Sequence, residues 1–346
     1  MATLEKNNNM NGINIIVPMA GMGKRMRPHT LTTAKPLIPI AGKPIVERLC
    51  EDIAKVCNKP INHIAFVTGD FTDEINENLL GIAKRLGAKG HICPQVDPLG
   101  TGHAVMCAKD YLEGEVIVAF SDTLFVADFE LDSSLDGTIW VHKVENPSSF
   151  GVVKLNESNV ITDFVEKPTE FVSDLAIIGI YHFTDGQKLR AALQYLLDND
   201  IREKGEYQLT NALESLKQDG AQFKPGAVKE WMDCGNKNAT VYTNQRVIEH
   251  NAVAFKTQQS LGDQCTIIEP CFIAEGVTIN NSTIGPHVSI GKGTVIEDSK
   301  ISNSIIMEKC KIKKAEFTNS MIGNEVTWDG SARELSISDY STNIKT

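Results

Sequence analysis

Val17 to Pro44 reads VPMAGMGKRMRPHTLTTAKPLIPIAGKP, and how this stretch is read decides the fold. It follows a short β-branched apolar run, Ile13–Val17, of the kind that forms a buried strand. Gly21 and Gly23 then stand where a phosphate-binding turn would begin. The third glycine of a dinucleotide-binding fingerprint is absent, because Met26 occupies its place, and no GxxxxGK[ST] spacing follows Gly23. Instead the chain carries Lys24, Arg25, Arg27, Lys35 and Lys43, interleaved with Pro28, Pro36, Pro39 and Pro44. Glycine amides can approach phosphate oxygens closely, the cations supply charge, and the prolines stiffen the excursion. A bare GxG is most often a tight turn; GxGxR, PxT, KPxxP and GKP together in one excursion are far less expected by chance and point to a phosphate site.

Outward from this stretch, apolar residues recur at helical spacing at Ile45, Leu49, Ile53 and Val56. His63–Val67 reads as a strand, Thr72–Leu86 as a helix, and Val116–Phe120 as a strand ending at Ser121 and Asp122. Strand alternating with helix predicts a doubly wound α/β sheet, whose ligands sit at the carboxyl ends of its strands. From Thr138 to Tyr181 the segments TIWVHKV, FGVVKL, VITDFVEKP and AIIGIYHF predict short antiparallel strands, read as an excursion over one end of the sheet and a lid for substrate. Helices are expected near Gln187–Leu197, Leu209–Gln218 and Thr240–Glu249, with a strand at Val228–Asp233.

Beyond Ala254, Ile267, Ile273 and Ile279 recur at every sixth residue, and Ile284, Ile290 and Ile296 resume the pattern after a slip of one. Hexapeptide repeats of this type predict a left-handed parallel β-helix with about 18 residues per coil and about four coils. The expected organisation is a polar tail over residues 1–11, an α/β domain over 12–252, the β-helix over 253–330 and a second tail over 331–346.

The chain has 346 residues and a formal net charge of -10, which argues against general nucleic-acid binding. Its eight cysteines form no CxxC pair, so mostly buried free thiols in a reducing cytoplasm are expected. No apolar run approaches a membrane span, and no secretory signal pattern precedes the first strand.

AGMGKRMRPHT followed by AKPLIPIAGKP resembles the signature loop of the sugar-1-phosphate nucleotidylyltransferases, most of all the glucose-1-phosphate thymidylyltransferases and their uridylyltransferase relatives. The resemblance runs from Ile13 to about Glu249, with Ala20 where many members carry glycine, and a β-helix tail is common in that family. It implies a reaction between a nucleoside triphosphate and a sugar 1-phosphate. dTTP with glucose 1-phosphate is preferred, then UTP with glucose or N-acetylglucosamine 1-phosphate, then GTP with mannose 1-phosphate.

By the same resemblance, Ala20, Gly21 and Gly23 would cradle the triphosphate, with Arg25 and Lys35 as the catalytic cations. CPQVDPLGTGHAV is similar to the family's base-recognition segment, which assigns Gln95, Gly100 and Thr101 to the nucleotide; otherwise PLGTG is a helix N-terminus. Asp122 in VAFSDTLF and Asp233 in EWMDCG would hold Mg²⁺, though strand-end aspartates commonly cap a following helix. FGVVKL resembles the family's YGVV, with Phe150 in place of tyrosine, and VEKP its EKP motif. Gly151, Glu166 and Lys167 are thereby assigned to the sugar phosphate, against a background in which a surface Glu-Lys pair is usually just solvated. IGIY and EYQLTNAL also resemble family segments, and Asn211 stands where aspartate is frequent, so it is given no role.

Two other classes remain: a silent relative that binds nucleotide sugar as a regulatory subunit, and a β-helix acyltransferase using His287. The presence of Arg25, Lys35 and both aspartates weighs against the first; the turn position of His287 and the few coils weigh against the second. The β-helix is expected to mediate homo-oligomerisation.

Overall fold

The computed structural model describes residues 12–127, 131, 134–255, 264–331 and 340–342. The tail expected over residues 1–11, and most of that expected over 331–346, lie outside the described residues. The chain divides into two compact units that do not follow sequence order. One holds residues up to Gly21 and Leu49–Trp231; the other holds Met22–Arg48 and the chain from Met232 onward.

In chain order the elements through residue 250 are β1 (Ile13–Pro18), β2 (Pro39–Ile40), β3 (Lys43–Pro44), α1 (Ile45–Val56), β4 (Ile61–Thr68), α2 (Asp73–Arg85), β5 (Lys89–Pro94), α3 (Thr101–Cys107), β6 (Val116–Ala119), β7 (Thr123–Val126), β8 (Gly137–Lys143), β9 (Gly151–Leu155), β10 (Ile161–Glu166), β11 (Leu175–Phe183), α4 (Gly186–Asp198), α5 (Leu209–Gln218), β12 (Phe223–Ala227), β13 (Glu230–Asp233) and α6 (Lys237–His250). Among the described residues nine strands form the first unit's sheet, in the order β10-β9-β11-β6-β1-β4-β5, with β8 beside β11 and β12 beside β8.

β1 lies between β4 and β6 and is parallel to both. Every residue of β1 is buried, which is why its sequence is apolar at all but one position rather than alternating. The one polar side chain in it, Asn14, donates to the carbonyls of Tyr111 and Glu113. α2 shows why the flanking helices start and stop where they do. Thr72 caps it through the Ile75 N–H, Asp73 and Glu74 occupy its first turn, and Lys84 and Arg85 occupy its last. Its Leu79, Ile82 and Ala83 are buried.

The short strands expected as a lid are instead part of this sheet. β11 pairs antiparallel with β6, β8 and β9, making the sheet mixed. Apolar residues on both faces of β11, among them Ile178, Ile180 and Phe183, are at most 2% exposed, so it belongs in the interior. Its register against β8 shifts between Ile177 and Tyr181, where Gly179 takes φ 86°. This bulge receives the Phe120 N–H on the Gly179 carbonyl and the Thr123 hydroxyl on the Ile178 carbonyl. It therefore fixes the turn that carries Asp122.

In the second unit, residues 266–329 form the left-handed parallel β-helix, with three four-stranded parallel sheets. Thr266 pairs with Thr283 and Lys300 with Glu316, so successive coils take 17 or 16 residues rather than 18. Ile279, Ile284, Ile290, Ile296, Ile301, Ile306 and Ile312 stack in its core, each at most 2% exposed. Among the described residues no helix is long and apolar enough to cross a membrane.

Candidate active site

In the first unit, strand order reverses at β1: the chain proceeds to β4 and β5 on one side and to β6 on the other. Such a switch point leaves a crevice at the carboxyl ends of the strands. Ala20 and Gly21 follow β1, Asp122 follows β6 by way of Ser121, and Gln95 follows β5. The two loops beside β1 are tied down, since the Ser121 N–H donates to the Pro18 carbonyl at 3.4 Å and the Met19 N–H to the Val67 carbonyl at 2.9 Å. Gly21 is exposed, and beyond its two chain neighbours no atom of the described residues lies within 4 Å of where its Cβ would stand. The protein's own packing therefore does not account for a glycine there.

The Gln95 backbone is held by the Thr68 carbonyl at 2.8 Å. Its side-chain Nε2 lies 3.3 Å from the Gly100 carbonyl oxygen and 3.0 Å from His103 Nδ1. Burial lowers the His103 pKa despite the opposing charge of Asp97, which keeps the imidazole neutral and Nδ1 able to accept. Gly100 has φ 117°, and a Cβ on it would stand 2.5 Å from the Tyr207 carbonyl oxygen. The Thr101 hydroxyl donates to Gln208 Oε1 and accepts from the Leu209 N–H, both at 3.0 Å. Gly100 and Thr101 thus dock the 206–209 segment against the Gln95 loop, a packing task that spacing alone does not disclose.

A second group in this unit gathers Gly151, Glu166 and Lys167. Glu166 Oε2 would lie 3.2 Å from a Cβ on Gly151 and accepts from the Thr210 hydroxyl at 3.2 Å. Its other oxygen is 3.1 Å from Lys167 Nζ. Lys167 takes φ 43°, an uncommon conformation for a lysine, while its N–H donates to the Phe150 carbonyl. Lys204 Nζ donates to the Lys167 carbonyl at 3.0 Å. Thr210 and Lys204 join the group only through folding; EYQLTNAL marked Thr210's segment without marking the residue.

The second unit places Gly23 beside Lys35 and, separately, Arg25 beside Asp233. Gly23, at φ 56°, lies under Thr30 and Lys35; a Cβ there would stand 3.0 Å from Thr30 Cγ2 and 3.1 Å from Lys35 Cβ. The Thr30 hydroxyl donates to the Gly23 carbonyl at 2.8 Å, folding the excursion back on itself. Around Gly235, the Arg25 guanidinium and the Asp233 carboxylate converge. A Cβ on Gly235 would lie 3.0 Å from Arg25 Nη2 and 2.9 Å from Asp233 Oδ1. The Gly235 N–H donates to that same Asp233 oxygen at 2.9 Å.

Asp122 in the first unit and Asp233 in the second each offer carboxylate oxygens. Among the described residues no three His, Cys, Asp or Glu side chains converge into a cage. That donor chemistry fits a hard cation such as Mg²⁺, which completes its shell with waters and phosphate oxygens, better than zinc, which takes imidazole and thiolate.

A family model described as nucleotidyl transferase matches residues 14–250. A glucose-1-phosphate thymidylyltransferase of Streptomyces griseus is 28% identical over 90% of this chain and 92% of its own length. The bifunctional protein GlmU of Methanococcus vannielii is 30% identical over 90% of this chain and 78% of its own length. In fold, the chain is similar to a solved nucleoside-diphosphate-sugar pyrophosphorylase from Vibrio cholerae. The TM-score is 0.58 at 19% identity, over 66% of this chain and 99% of that one.

Proposed function

This chain belongs to the nucleotidyl transferase family, and on that premise we propose that it joins dTTP to glucose 1-phosphate, releasing pyrophosphate. An oxygen of the sugar phosphate attacks the α-phosphorus in line, and the bond from that phosphorus to the β-phosphate bridging oxygen breaks. The products are dTDP-glucose and pyrophosphate, and no protein nucleophile takes part. The rate enhancement comes from positioning and from neutralising charge. The observation that carries this reading is the convergence of Arg25 and Asp233 on Gly235 in a chain whose family model spans both.

In this reading the backbone at Ala20, Gly21 and Gly23 receives the triphosphate, and Arg25 stabilises the charge growing on the leaving pyrophosphate. Lys35 holds the α-phosphate and Lys167 the phosphate of the sugar. Glu166, oriented by Thr210, accepts from sugar hydroxyls, and Gly151 lets the sugar approach the backbone. Asp122 and Asp233 would hold Mg²⁺, which when bound screens the negative charge of the triphosphate.

Gln95 sets base choice. With its Nε2 engaged by Gly100 and His103, the amide oxygen is the atom left for the base. An accepting oxygen suits the N3–H of thymine or uracil and opposes the N3 lone pair of cytosine. UTP presents the same edge as dTTP, and the thymine methyl contributes only about 1–3 kcal/mol. UTP with glucose or N-acetylglucosamine 1-phosphate is therefore the second reading. Cytoplasmic location and homo-oligomerisation through the β-helix are part of the proposal; a monomer by light scattering would remove the latter.

The test is a pyrophosphate-release matrix of dTTP, UTP, CTP, GTP and ATP against glucose, N-acetylglucosamine, galactose and mannose 1-phosphates with Mg²⁺. The highest kcat/KM is expected for dTTP with glucose 1-phosphate, and turnover by CTP is expected to be the weakest among the pyrimidines. Uniformly absent turnover would favour a silent nucleotide-sugar-binding relative.

A further inference from the structure

The excursion that carries Arg25 and Lys35 is held at both ends by α6 and the β-helix, all within the second unit. At its start, Met26 is buried with its sulfur 3.5 Å from the Thr240 hydroxyl of α6. His29 Nδ1 lies 3.9 Å from where a Cβ on Gly323 would stand, in the last coil. Burial, with the Lys237 charge added, lowers the His29 pKa. Lys237 itself donates to the Asn319 carbonyl at 2.7 Å, fastening the first turn of α6 to the same coil.

At the far end is the β2–β3 hairpin. Its tip residue Ala41 has φ 43°, a conformation that a residue with a Cβ holds only when its surroundings impose it. The Ala41 N–H donates to Asn244 Oδ1 at 2.9 Å, and that same oxygen accepts from the Ser289 hydroxyl of the β-helix at 2.8 Å. Asn244 is 0% exposed. Arg48 closes the tip from α1, its guanidinium donating to the carbonyls of Ile40 and Ala41 at 2.6 and 2.7 Å. Gly42 has no space for a side chain because the Phe272 ring of the first coil lies against it.

We infer that the β-helix is the template on which the catalytic excursion is set, and that Asn244 is the positioning residue joining the two. The inference rests on the assignment of Arg25 and Lys35 to the nucleotide. A fully buried side-chain oxygen shared between a strained loop amide and a coil hydroxyl is a rigid link, because each partner left unpaired would carry the cost of a buried polar group. The excursion is glycine-containing and short of regular structure, so its own sequence does not fix where its cations point. The coil supplies that rigidity from outside.

The experiment compares the full-length protein with Asn244→Ala, Asn244→Asp and Ser289→Ala. Hydrogen exchange at residues 23–43 and steady-state pyrophosphate release are measured at a temperature where each variant is folded by circular dichroism. Asn244→Ala is expected to speed exchange at Ala41 and Gly42 and to lower kcat about 10- to 100-fold, the range that a misplacement near 1 Å produces. KM for the triphosphate should move far less. Asn244→Asp, which keeps an accepting oxygen at the same place, should recover most of both. Ser289→Ala, a change made only in the coil, should give a smaller effect of the same kind, and it serves if Asn244→Ala does not fold. Unchanged exchange over 23–43 in Asn244→Ala, or in Ser289→Ala when the first cannot be used, would overturn the inference. So would loss of stability with kcat per folded molecule intact. If the wild type turns over no substrate pair, the activity assignment fails, while the exchange arm still decides whether the coil holds the loop.

Discussion

At Gly235 a single methyl group separates two outcomes. Gly235→Ala would place a Cβ 2.9 Å from Asp233 Oδ1 and 3.0 Å from Arg25 Nη2, and both are ends of flexible side chains that can move aside. The variant should therefore fold with a Tm near wild type yet lose about tenfold or more in kcat, since the displaced groups are those proposed to meet the reacting phosphates. Wild-type kcat would show that the convergence is incidental. Thr210→Val removes the hydroxyl bonded to Glu166 and costs about 1–2 kcal/mol there. Its KM for sugar 1-phosphate should rise more than its KM for the nucleotide, which steady-state titration of each substrate checks. The sequence marked Arg25, Asp233 and Glu166 through their motifs. It did not mark Gly235 or Thr210, because the first matters only through its contacts and the second lies 44 residues from its partner.

At the scale of elements, the six-residue recurrence of isoleucine was enough to predict the coils, because each isoleucine stacks on its counterpart one coil away. Ile279 pairs with Ile296, and Ile296 with Ile312. Ile296→Ala should lower stability by about 2–5 kcal/mol, read as a drop in the unfolding midpoint, because neighbouring rungs cannot collapse into the space left. The α/β strands were legible where both faces are buried, as in β1 and β6. β11 was recognised as a strand, but its place in the main sheet was not, since short apolar runs look alike in a lid and in a sheet interior. β12 went unseen because FKPGA carries proline and glycine, which demote a strand reading. Gly100→Ala would also act between elements. With φ 117° and the Tyr207 carbonyl 2.5 Å from the new Cβ, it should undock residues 206–209 and raise protease sensitivity there.

For the molecule as a whole, linear order hid that Met22–Arg48 belongs with the C-terminal part rather than with the sheet it interrupts. A chain read from end to end gives no sign of such a partition, which depends on long-range contacts like that of Ala41 with Asn244. The first unit also carries a partly buried ionic group remote in sequence from Val17–Pro44: Glu115 bonds Lys59 at 2.5 Å and His182 at 2.7 Å. Burial opposes ionisation of Glu115, but hydrogen bonds from Lys59 and His182 outweigh it and hold its pKa below the ordinary value of 4.5. For His182, burial outweighs the Glu115 hydrogen bond and lowers its pKa below 6.5. Both shifts stabilise the fold above the unfolded values and lose that contribution as pH falls through the folded ones. Tm should therefore be flat near neutrality, begin to fall as pH drops below about 6.5, and fall further below about 4.5. Glu115→Gln should flatten the lower part of that curve; an unchanged acid limb would show that the stability lies elsewhere. The chain as a whole is an enzyme that transfers a nucleotidyl group to a sugar phosphate. The most direct test of that activity is pyrophosphate release from dTTP and Mg²⁺ with and without glucose 1-phosphate, alongside chromatography of the nucleotide product. The account predicts sugar-dependent release matched one to one by dTDP-glucose and abolished in Asp122→Asn and Arg25→Ala. Release that is absent, independent of any sugar 1-phosphate, or retained in both variants would contradict it.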